Sequence, residues 1–266
     1  MTQEMFRLWK GTEMTVCYFT ATGNCLYVAK RIGGTLLSIP QLMRQETTEI
    51  EDDAVGIVAP CYAVEMPMMV KEFLEKAHIR TEYFFFIYTY GMGYAQAFTN
   101  VEVTARKVGL TLSYINAVQM VDNYILFFDM QEQIDTLPQK NVEGQIAQVI
   151  REINERQLKQ VYPTENDLAE MEKWNKNHAA NILKKDTALG YTVNGDCIRC
   201  GICAKVCPAN NITVTDSGVR FSDHCEVCYA CLHNCPKSAI HMPLEAGTAH
   251  FRNEHITLNE IIGSNQ

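Results

Sequence analysis

The sequence predicts an α/β fold, a doubly wound five-stranded parallel sheet, followed by a small α+β module organised around cysteines. Three observations carry this. Short apolar strands alternate with amphipathic helices over residues 12–160, eight of the eleven cysteines fall between 197 and 235, and segment 196–214 repeats at 224–242. With 266 residues, 47% of them hydrophobic and 20% charged, the chain can bury a large core or two modest ones.

Taken in order, residues 12–19 read as a first strand, with a turn at 20–24. Residues 25–32 follow as a helix, with Leu26, Val28, Ala29 and Ile32 on one face. Gly33-Gly34 stops that helix. Residues 35–39 form a second strand closed by Pro40, and residues 54–59 a third bounded by Pro60. Pro67 suits a helix first turn, and Met69, Val70, Phe73, Leu74 and Ala77 then recur on one face. Residues 83–89 (YFFFIYT) are too apolar to meet water on either side. A helix is expected from Gly91-Met92-Gly93 to about Val108, a fifth strand over 111–119, and a long helix over 138–158. Continuously apolar strands interleaved with helices mark a parallel sheet covered on both faces. Five of them fit the flavodoxin-like order 2-1-3-4-5. The expected division is 1–162 for this domain, 163–189 for a charged helical connector, and 190–266 for the cysteine module and its tail.

Charge and hydropathy exclude several classes. Lys+Arg is 23 against Asp+Glu 31, a net charge of -8, which disfavours nonspecific nucleic-acid binding. No apolar run reaches the roughly 18 residues of a membrane span. Glu4, Arg7 and Lys10 interrupt any leader-type apolar region, so a cytoplasmic location is expected. Eight crowded thiols in a reducing compartment read as metal or cluster ligands rather than disulfides.

The strongest motif is Cys197-x₂-Cys200-x₂-Cys203-x₃-Cys207-Pro208, repeated as Cys225-x₂-Cys228-x₂-Cys231-x₃-Cys235-Pro236. This is the bacterial-type [4Fe–4S] run, in which the fourth thiolate reaches the other cluster. The expected ligand sets are Cys197, Cys200, Cys203 and Cys235 for one cluster, and Cys207, Cys225, Cys228 and Cys231 for the second. Zinc is disfavoured, because it more often takes separated pairs of cysteines.

The second motif, Thr20-Ala21-Thr22-Gly23-Asn24-Cys25, lies between the first strand and first helix. Backbone N–H groups, hydroxyls and a helix dipole there can hold a phosphate. It is neither a P-loop nor a dinucleotide fingerprint. The T-x-T-G-N pattern resembles the flavodoxin loop around the FMN phosphate, although flavodoxins commonly place Thr or Ser where Cys25 stands. Two further loops at strand carboxyl ends, Pro60-Cys61-Tyr62-Ala63 and Thr89-Tyr90-Gly91-Met92-Gly93, are candidates to hold the flavin ring. Tyr62 and Tyr90 are the residues expected to lie against it. Cys17 reads as a core residue, Cys25 and Cys61 as packing residues with a redox role as the lesser alternative. His224 and His233 are placed beside the expected clusters, the first just before the second cysteine run and the second within it.

The chain resembles the EFR family of flavodoxin–ferredoxin fusion proteins of anaerobic bacteria. The resemblance rests on residues 19–24, Met120-Val121-Asp122-Asn123-Tyr124-Ile125, both cysteine runs, and residues 251–258. Val121 departs from the family's usual Pro. The resemblance implies FMN and two [4Fe–4S] clusters, with Asn123 and Tyr124 as secondary candidates near the flavin. The expected function is electron transfer between clusters and FMN, with redox proteins as donor and acceptor. The alternative is an FMN-dependent reductase of NAD(P)H, a quinone or another small oxidant, fed through the clusters.

Overall fold

The computed structural model describes residues 14–94, 96–174, 176 and 190–266. Its first seven strands are β1 (Met14–Tyr18), β2 (Thr35–Ser38), β3 (Glu49–Glu51), β4 (Ala54–Pro60), β5 (His78–Arg80), β6 (Tyr83–Tyr90) and β7 (Leu112–Gln119). All but β3 and β5 form one parallel sheet, in the order β2-β1-β4-β6-β7. Counted within that sheet the order is 2-1-3-4-5, the flavodoxin-like winding expected. The central strands β4 and β6 are buried almost end to end, which explains their unbroken apolar runs.

Seven helices accompany these strands: α1 (Asn24–Ile32), α2 (Ile39–Leu42), α3 (Met68–Lys76), α4 (Ala97–Lys107), α5 (Met130–Asp135), α6 (Val142–Asn154) and α7 (Glu165–Trp174). α1 buries Leu26, Val28, Ala29 and Ile32, the face its spacing foretold, and ends at Gly33 with φ 87°. α3 likewise buries Met69, Val70, Phe73 and Leu74.

Several boundaries differ from expectation for local reasons. β2 stops at Ser38, and Pro40 sits in the first turn of α2, where its missing N–H is harmless. The helix expected from Gly91 begins only at Ala97, because residues 91–93 line a cavity instead. The helix expected over 138–158 starts at Val142, after a 3₁₀ turn at Leu137–Lys140 and a left-handed Asn141 with φ 48°. β3 and β5 were hidden in polar sequence. They pair in parallel, and Arg80 on β5 meets Glu49 and Glu51 on β3. Within the expected connector, α7 is helical, while residues 175 and 177–189 lie outside the described residues.

The module from residue 190 contains β8 (Thr192–Val193), α8 (Ile202–Lys205), β9 (Ile212–Thr215), β10 (Gly218–Phe221), α9 (Ala230–His233) and β11 (Ile240–His241). β8 pairs antiparallel with β11, and β9 with β10. The repeat seen in sequence is also conformational. Left-handed φ values recur 28 residues apart at Arg199 and Val227 (55° and 54°), Gly201 and Tyr229 (77° and 58°), and Asn210 and Ser238 (51° and 45°).

The last segment returns to the α/β domain. Its helix α10 (Leu258–Asn265) opens on a capping box between Thr257 and Glu260. Tyr18 and Ser264 share a hydrogen bond of 3.0 Å, and Arg44 donates to the Asn265 carbonyl at 2.6 Å. Lys30 on α1 meets Glu260 at 2.6 Å. That contact, with the Thr257 backbone and hydroxyl, lowers the Glu260 pKa from its ordinary 4.5 to about 2. A depressed carboxylate contributes stability that is complete above its ordinary pKa and is lost as pH falls through the lowered one. The difference in unfolding midpoint between the wild type and Glu260→Gln is therefore expected to narrow as pH falls below 4.5 towards 2. A constant difference across that window would remove this carboxylate from the docking of α10.

Candidate functional site

A cavity of about 400 Å³ opens at the carboxyl ends of β1, β4 and β6, where doubly wound sheets bind ligands. Thr20, Ala21, Thr22, Asn24 and Cys25 line it from the first loop, and Pro60, Cys61, Tyr62 and Ala63 from the second. Thr89, Tyr90, Gly91, Met92 and Gly93 line it from the third. Of the loop residues singled out in the sequence, Gly23 alone is absent from the lining. Its φ is 101°, and a Cβ there would meet Asn253 and Ile256 at 3.0 Å. Glycine is required at this position by the returning chain as much as by the turn.

The first loop is built to present donors. Its carbonyls are held from the outer side: Thr22 O accepts the Asn253 N–H at 2.8 Å, Ala21 O accepts Asn234 Nδ2 at 3.3 Å, and Thr20 O accepts Asn265 Nδ2 at 3.5 Å. With the carbonyls held there, the loop hydroxyls and the amino end of α1 remain for an anion. α1 has no acidic residue in its first turn. The Asn234 and Asn265 amide nitrogens each reach a second carbonyl, Ala230 and Val206 respectively, while both Oδ1 atoms are buried without partners. An unpaired buried acceptor costs about 1–3 kcal/mol. The fold carries that cost where the loop, the module and the tail meet.

Asn123 and Tyr124, the secondary candidates, stand in one wall of the cavity. Asp122, Asn123, Tyr124, Phe127 and Phe128 form this wall, together with Val227 and Tyr229 from the cysteine module. Asp122 is the one formally charged side chain among the described lining residues. Burial raises its pKa, opposed by the Tyr124 N–H at 3.0 Å and by Lys140. Asn123 Nδ2 touches both Thr22 Oγ1 (3.4 Å) and the Cys228 carbonyl (3.3 Å). The signal for this wall was present, an aromatic run after the fifth strand, but aromatic runs usually mean core. Burial pushes the Cys25 and Cys61 thiols up to about 12, so both stand as neutral packing groups. Cys17 is fully buried, as its strand position implied.

In the module, Cys197, Cys200, Cys203 and Cys235 line one small hollow together with Pro236. Cys207 is absent from that lining, whereas Cys235 of the second run belongs to it. Equivalent backbone groups donate to equivalent sulfurs, Asn211 N–H to Cys207 at 3.2 Å and Ala239 N–H to Cys235 at 3.3 Å. Among the described residues, no three His, Cys, Asp or Glu side chains converge as a single ion would need. A cubane takes each thiolate at a separate corner. The donor chemistry fits a cluster, whose sulfurs take backbone hydrogen bonds: the Val227 N–H also donates to Cys225 Sγ at 3.3 Å. The Tyr62 hydroxyl is buried with no hydrogen-bond partner.

The two expected ligand sets differ in exposure. In one, Cys200 is exposed, Cys197 and Cys235 are half-buried and Cys203 is buried, with Ile198 alongside 59% exposed; in the other, Cys207, Cys228 and Cys231 are buried and Cys225 is half-buried. His233 closes the inner side. It accepts the Phe251 N–H at Nδ1 (3.2 Å), so Nε2 carries the proton donated to the Asn123 carbonyl at 2.8 Å. Burial lowers its pKa to about 4. His224 is exposed beside Asp223.

Comparison with known proteins places a 4Fe–4S dicluster domain at residues 191–247. No curated protein matches the chain. Solved structures similar to it include a flavodoxin from the domain Archaea, 15% identical with a TM-score of 0.29. That match covers 52% of this chain and 99% of the flavodoxin. A Trp repressor binding protein from Bacillus subtilis is 9% identical, TM-score 0.33, covering 52% of this chain and 98% of its own. A flavodoxin, WrbA-like protein from Agrobacterium tumefaciens is 14% identical, TM-score 0.31, covering 53% and 99%. The strand order of the sheet and the matched domain together give a flavodoxin-like α/β fold followed by a small iron–sulfur module of the 4Fe–4S class. No helix among the described residues is long and apolar enough to cross a membrane.

Proposed function

We propose that this protein is an EFR-type electron-transfer flavo-iron–sulfur protein that passes electrons between two [4Fe–4S] clusters and an FMN. One observation carries the reading: Val227 and Tyr229, either side of Cys228, line the same cavity as the phosphate-type loop Thr20–Cys25. FMN handles one or two electrons and each cubane one, so the pair would connect one-electron and hydride-level chemistry. In this reading residues 1–162 hold the flavin, 163–189 connect, and 190–266 hold the clusters and tie back to the loop.

The residues then divide as follows. Thr20, Thr22 and the amino end of α1 hold the phosphate through neutral donors. Tyr62, Tyr90, Tyr124 and Phe128 enclose the ring and keep water from it. Cys207, Cys225, Cys228 and Cys231 hold the inner cluster against the cavity wall. Cys197, Cys200, Cys203 and Cys235 hold the outer one, and the exposed Ile198–Cys200 corner is the port for a one-electron partner protein. A reductase of small oxidants is the second reading. It is favoured by the apolar mouth of the cavity, where Met92 is 71% and Phe127 65% exposed.

The test is anaerobic purification, with about one FMN and about eight irons per chain expected. Mixing with NADH, NADPH and reduced ferredoxin then separates the two readings. Rapid reduction by the protein donor alone supports the carrier; rapid reduction by a pyridine nucleotide supports the reductase. Stoichiometric zinc without cluster absorbance would overturn both.

A further inference from the structure

We infer that Asn234 is a positioning residue for the flavin phosphate, and that through it phosphate recognition depends on the assembled cysteine module. The inference rests on the flavin reading above and extends it to a residue in the other half of the chain. Asn234 lies between Cys231 and Cys235, which belong to the inner and outer ligand sets. Its position is therefore fixed from both sides when the module is assembled.

From there its amide reaches out of the module. Asn234 Nδ2 donates to Ala21 O at 3.3 Å and to Ala230 O at 2.9 Å, and the two carbonyls fix the amide's orientation. The side chain is only 4% exposed. The equivalent position of the first repeat is Val206, 28 residues earlier. It serves the same junction by its backbone, since its carbonyl shares Asn265 Nδ2 (3.1 Å) with Thr20 O (3.5 Å). The Asn253 N–H completes the set on Thr22 O. Three successive loop carbonyls are thus held from the module and the tail, not from the α/β domain that carries the loop. Release of one lets its peptide unit rotate and brings a carbonyl dipole towards the anion, which repels it. Binding linkage is reciprocal, so phosphate held in the loop also steadies Asn234 between its two cysteines.

The readout is the ratio of FMN to riboflavin affinity, because only FMN carries the phosphate. Both ligands are titrated into wild-type, Asn234→Ala and Asn265→Ala protein, with iron measured in each. Asn234→Ala is expected to weaken FMN about three- to tenfold, the range for one lost hydrogen bond, and to leave riboflavin unchanged. Equal loss of both flavins, or loss of neither, would overturn the inference. Should Asn234→Ala fail to retain iron, Asn265→Ala decides by the same ratio, since it lies outside both cysteine runs. Wild-type protein that binds neither flavin would instead defeat the flavin reading, and this inference with it.

Discussion

Cys207→Ala is expected to remove the cluster held by Cys225, Cys228 and Cys231 while sparing the one held by Cys197, Cys200 and Cys203. Cys235 lines one hollow with Cys197, Cys200 and Cys203 while Cys207 does not, which gives the physical basis. Iron should fall by about half, from about eight to about four per chain. The stability loss should exceed that of an ordinary buried Cys→Ala change. A cluster bound across two loops supplies folding free energy to both, and its loss releases both. EPR spectra compared with separate variants at Cys200 and Cys228 identify which cluster is missing. If Cys207→Ala and Cys200→Ala remove the same one, each run serves itself and the crossing is wrong.

Gly23→Val should be the most damaging substitution in the phosphate-type loop, and it should act through the tail. A β-branched residue at φ 101° is strained by roughly 1–3 kcal/mol before any contact is counted. Its Cβ also meets Asn253 and Ile256 at 3.0 Å, so the segment that holds the Thr22 carbonyl must move away. FMN affinity is expected to fall by more than tenfold, with faster proteolysis of the segment beyond residue 250. Gly33→Ala is the control, since Gly33 has φ 87° but nothing within 4 Å of a Cβ. It should show the strain without the flavin defect. Unchanged flavin retention in Gly23→Val would place the phosphate elsewhere.

The sheet was legible because its strands are buried on both faces, so burial left a continuous apolar record in residues 54–59 and 83–89. The repeat was legible because cysteine spacing encodes ligand geometry directly. What stayed hidden was anything that depends on two distant segments meeting. Polar Glu49–Glu51 forms a strand only because His78–Arg80 lies alongside it. Phe127 and Phe128 look like core in sequence, yet they wall a cavity together with Tyr229, more than 100 residues away. The tail gave no sign that Asn253 and Asn265 would brace a loop near residue 20, because asparagine carries no periodic or spacing signal.

Tyr229 occupies the backbone position that the first repeat gives to Gly201, and both adopt a left-handed φ. Glycine takes that geometry freely, whereas tyrosine does not, so the second copy accepts strain that the first avoids. The ring gained in exchange faces the cavity. Two halves that share one backbone pattern thereby serve as a front and a back. The molecule is polarised along one axis, from a solvent-facing unit that can be lean to an inward-facing unit fitted to its neighbour. Transplanting one half onto the other would preserve every sulfur and lose that direction.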